Sequence, residues 1–139
     1  MAKKRSLRSK GSTGAIVEQA AAVEQAASVS FQNLGIEWKP KPDGSAELLV
    51  AYDGPLASRD EVVARAGTWR EGSGPWGETR ELPLRRQGTR WVGAIPVASG
   101  PAVQAVEFVF RANDEWDNGG RAPLGYYEWS PHERRVEVR

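Results

Sequence analysis

Trp116 sits in the run EWDNGG, residues Glu115 to Gly120, where an indole is ringed by carboxylates, an amide and glycines. Those residue types can do two things. The indole can fold back over the core, or it can stand out and stack on a flat ligand whose polar edge Asp117 and Asn118 would bond. The acids Asp114, Glu115 and Asp117 also raise the question of a cation. They lack the alternating ligands and the distal glutamate of a calcium loop, so a plain turn is expected and no metal site. Elsewhere the chemical inventory is thin. His132 is the one histidine, there is no cysteine, and no nucleophile elbow, phosphate loop or spaced histidine–acid motif occurs. Glycoside hydrolysis would need two carboxylates roughly 5 to 10 Å apart in a cleft, for which a single thin β-sandwich has little room. A binding protein without catalytic residues or cofactor is therefore expected.

The chain that positions Trp116 has 139 residues, enough for one domain with its own core. No apolar run is long enough to cross a membrane, and a net charge of +1 argues against a dedicated nucleic-acid surface. The start, MAKKRSLRSK, is basic, and the pentapeptide VEQAA then occurs twice, at Val17 to Ala21 and Val23 to Ala27. Ile16, Val17, Ala20, Val23 and Ala27 fall near one face at helical spacing, which predicts a solvated basic arm and a short Ala-rich helix over residues 1–28. That segment is expected to recruit a protein partner or a second copy. It lacks the apolar centre of a signal peptide, and with no cysteine in the chain a cytoplasmic location is expected.

From residue 29 to 139 the pattern changes to short runs of period two. SFQNLGIEWK, AELLVAY, EVVARAG, TRELPL, TRWVGAIPV, AVEFVFRA and RRVEVR are separated by turn-forming KPDGS, DGPLASRD, EGSGPWG, RRQG and ASGPA. About seven strands at this spacing predict an all-β, immunoglobulin-like antiparallel sandwich. Alternation places Val106, Phe108 and Phe110 on one core face, and Trp91, Ile95 and Val97 on another. Pro42 to Gly44 reads as a hairpin turn between the first two strands. Trp38 and Trp91 are expected in the core, and Trp129 over the sandwich edge.

The segment AVEFVFRANDEWDNGG resembles the most recognisable stretch of the starch-binding carbohydrate-binding modules of families 25 and 53, and the Trp-Asp-Asn signature is similar to that of the glycogen-targeting modules of family 21. WGETRELPL, Trp76 to Leu84, resembles those families' tryptophan followed eight residues later by an apolar residue. VVARAG resembles the family 25 strand that carries a ligand-contacting histidine, and Arg65 stands at that histidine's place. The likeness covers roughly Glu47 to Tyr127. It implies an α-1,4-glucan such as starch, glycogen or maltooligosaccharides as partner, stacked on Trp76 and Trp116 with Arg65, Asp117 and Asn118 around it. Aligned from the upstream strand instead, Trp69 takes the place of Trp76. For Asp117, capping the turn and bonding sugar are equally weighted. The alternative to sugar binding is a protein-interaction module on the same scaffold.

Overall fold

The structure, a computed structural model, describes residues 25–120 and 124–139. The expected basic arm and most of the expected helix lie outside them. Ala27, the last residue of the helical stripe, opens a strand instead, so the sandwich begins two residues before the expected boundary.

The described chain is all-β. Eleven strands form two antiparallel sheets. They are β1 (Ala27–Phe31), β2 (Leu34–Pro40), β3 (Ala46–Tyr52), β4 (Val63–Arg70), β5 (Gly77–Pro83), β6 (Arg85–Gln87), β7 (Arg90–Val97), β8 (Val103–Ala112), β9 (Glu115–Asp117), β10 (Tyr127–Ser130) and β11 (Arg135–Val138). One sheet has the order β1-β2-β3-β7-β6 and the other β11-β10-β8-β4-β5, with β9 pairing β8 beyond the end of β10.

Several short strands were not legible. SFQNLGIEWK is two strands, because Gln32 turns to φ 53° and the chain doubles back with Phe31 opposite Leu34. RRQG, expected as a turn, contributes β6 at the edge of the first sheet. The segments YEWS and EWD are strands β10 and β9, too short to show a period of two.

The core lies between the sheets and follows the expected alternation. Leu48, Val106, Phe108 and Phe110 are fully enclosed, with Trp38 and Trp91 beside them. Phe108 stacks on Tyr127 at 5.5 Å, and Tyr52 packs against Phe110 at 4.2 Å. Trp129, expected at the edge, is wholly buried and packs against Trp38 at 6.4 Å, because β10 runs between β8 and β11 and not along the rim.

Candidate functional site

The outer face of the second sheet carries the site. The hairpin from β8 to β9 turns on Asn113 and Asp114, with Asn113 at φ 55°. Alternation along β9 then separates two neighbours. Trp116 points out opposite Arg111, and Asp117 points in opposite Phe110.

Asp117 makes the turn-holding contacts that its sequence offered as one of two roles. Its Oδ2 accepts from the Tyr52 hydroxyl at 2.6 Å, and its Oδ1 accepts from the Tyr127 hydroxyl and the Gly119 N–H, both at 3.0 Å. Both oxygens are thus used inside the fold, and the carboxylate holds the turn. Burial and the adjacent carboxylate push both tyrosine hydroxyls well above their ordinary pKa, so they stay protonated as donors. Gly119, at φ 84°, lets the turn pass close to β11; a Cβ there would lie 2.8 Å from a Val138 methyl.

Trp116 is half exposed, and the Arg111 guanidinium lies 5.7 Å from its ring centroid. Arg111 is itself fixed by Glu81 of β5 at 2.6 Å. The indole therefore rests on a braced cation and has no place in the core.

Trp76 reaches the same face by a different route. The turn after β4 is tied by Arg70, whose buried guanidinium bonds Glu78 at 2.7 Å and the carbonyls of Ala98 and Pro101 at 2.6 and 2.9 Å. Hydrogen bonding to that guanidinium holds the Glu78 carboxyl below the usual range. Thus anchored, the returning chain lays Trp76, at φ 63°, over Gly67 of β4. The Trp76 N–H donates to Glu107 Oε1 at 2.9 Å. Glu107 is fully buried beneath it on β8, and burial pushes its carboxyl up to about 7. Its Oε2 has no partner among the described residues.

Trp76 meets Tyr126 edge to face, with ring centroids 5.4 Å apart and planes at 77°. Together with Arg65, Thr79, Val109, Trp116, Asn118, Leu124 and Gly125 they line an open groove of about 470 Å³. Trp116 and Leu124 are the two large hydrophobic side chains exposed among the described residues, and both belong to it. The structure thus brings together Trp76, Trp116, Asn118 and Arg65. Asp117 lies behind the groove. Trp69 points to the same side of β4 as Gly67 but two positions further along it, and it is not among the groove's lining residues. The turn after β4 folds back onto Gly67 and seats Trp76 over it.

Tyr126, Leu124 and Thr79 were missed as lining residues. Only for Tyr126 was there a signal, an aromatic pair whose second member, Tyr127, alternation would turn into the core. A larger depression of about 730 Å³ lies on the outer face of the first sheet, floored by Leu49, Ala51, Val92 and Ala94. None of the described residues that line it is aromatic. Among the described residues no group of three or more His, Cys, Asp or Glu side chains is placed to hold a metal ion; Glu115 instead forks onto Arg59 at 2.6 and 3.0 Å.

Compared with protein-family profiles, curated proteins and solved structures, the chain has no match. The functional reading therefore rests on the groove and its residues.

Proposed function

We propose that the groove binds an α-1,4-glucan without catalysis, tethering the chain or a partner to polysaccharide. The observation that carries the reading is the exposure of Trp116 in a groove it shares with Trp76 and Tyr126. Sugar rings present an apolar face of C–H groups, so an indole held outward is a stacking surface, and Asn118 supplies an amide for the hydroxyl edge. The Trp76–Tyr126 corner, with its planes at 77°, suits a chain that curves and not one that lies flat.

One open groove recovers little beyond the entropy of association, so maltooligosaccharides should bind with Kd of about 10 µM to 1 mM. The test is native electrophoresis in gels containing glycogen or amylose, followed by titration with maltoheptaose and a cello-oligosaccharide of equal length. Retardation by the α-glucans and preference for maltoheptaose are expected. Free migration in both gels, or equal affinity for the two oligosaccharides, contradicts the reading.

A further inference from the structure

Arg65 is the one charged side chain among the described residues that line the groove. On β4 it stands opposite Glu81 of β5 and Val109 of β8. Glu81 is the natural counter-ion, but it serves two guanidinium groups. Its Oε1 accepts from Arg111 at 2.6 Å, and its Oε2 lies 3.5 Å from Arg65, at the outer limit of a hydrogen bond. Two cations thus share one carboxylate, and Arg111 holds the short bond. The Arg65 side chain is 47% exposed, and the remainder of its N–H fork has no partner among the described residues.

Other carboxylates nearby do not cancel this charge. Glu107 is buried under Trp76 with its Oε1 turned to the Trp76 N–H, and Glu128 is paired with Arg139 at 2.8 Å. Neither lines the groove. A neutral glucan needs amides and hydroxyls at its edge, which Asn118 and Thr79 already offer. An under-neutralised guanidinium in a groove lined also by aromatic side chains has another natural ligand, since its planar fork matches the oxygens of a phosphate and bonds them with full charge assistance.

We infer that the groove takes an α-glucan carrying phosphate monoesters, with Arg65 as the side chain that receives the phosphate. This rests on the glucan reading of the same groove and adds the class of glucan to it.

The experiment measures binding of the full chain and of Arg65→Gln to a phosphorylated amylopectin and to the same polymer after enzymatic removal of its phosphates, at low and high salt. Thermal melts check that the variant is folded. The parent should bind the phosphorylated polymer about tenfold more tightly at low salt, the scale of a half-exposed, charge-assisted pair, and added salt should erase most of the difference. Arg65→Gln should bind the two polymers alike, losing the roughly tenfold preference and its salt dependence. Equal binding of the two polymers by the parent overturns the phosphate assignment and leaves the glucan reading standing. A variant weakened equally on both polymers overturns it too, because Arg65 would then bond hydroxyls. Binding to neither polymer removes the glucan reading itself, and the phosphate assignment with it.

Discussion

Gly67 lies directly beneath Trp76. A Cβ built on Gly67 would sit 2.7 Å from the Trp76 Cα and 2.9 Å from the indole edge, so the tryptophan occupies the space that any other residue on β4 would fill. Gly67→Ala should therefore push Trp76 and its turn away from the sheet. Backbone stands in the way, so the clash cannot be relieved by a side-chain rotation, and a stability loss of about 1 to 3 kcal/mol is expected. Maltoheptaose affinity should fall in the same variant, measured by calorimetry well below its melting temperature. Unchanged affinity in a folded Gly67→Ala protein would mean that Trp76 does not bear on the ligand.

Asp117 is predicted to matter for folding more than for contact. Asp117→Ala leaves the buried hydroxyls of Tyr52 and Tyr127 without their acceptor, which should cost about 2 to 4 kcal/mol in urea unfolding. Asp117→Asn keeps one acceptor oxygen and should cost less. A loss below about 0.5 kcal/mol in the alanine variant would show that the hydroxyls find other partners.

Glu107 predicts a pH dependence. Its carboxyl is raised by burial from 4.5 to about 7 in the fold. The folded chain thus holds a proton that the unfolded chain has lost, and the associated stability is complete below about pH 4.5 and is lost as pH rises through about 7. Relative to Glu107→Gln, whose amide oxygen can still accept the Trp76 N–H, the parent should lose stability across that window. The loss is about 3 kcal/mol at most, each pH unit between the two pKa values being worth about 1.4 kcal/mol. Parallel stability curves for parent and variant from pH 4.5 to 8 would contradict a buried, titrating Glu107.

Much of the fold was legible because burial on one face of a strand writes itself as alternation. Phe108 and Phe110 gave the core face of β8, and Trp38 and Trp91 were placed inside. Glu107 and Val109, on the opposite face of the same strand, are also buried; Trp76 covers Glu107, and no local pattern announces a covering loop. Trp116 and Asp117 show the same limit. Their types suggested a ligand loop, yet the inward turn of Asp117 depends on Tyr52, distant in sequence and adjacent only after β3 and β9 pack. That Trp76 and not Trp69 lines the groove follows from a turn anchored by Arg70 to the carbonyls of Ala98 and Pro101, a long-range tie that spacing does not encode.

The most direct test of the glucan groove is Trp116→Ala, measured for stability and for maltoheptaose binding on the same preparation. The side chain is half exposed, so unfolding free energy should change by less than about 1 kcal/mol. Binding should weaken by about 1 to 3 kcal/mol, the scale of stacking a flat ring on an aromatic side chain, and the fluorescence shift that maltoheptaose induces in the parent should shrink. A variant that melts much earlier yet binds maltoheptaose like the parent once folded would contradict the account and make Trp116 a lid on the core.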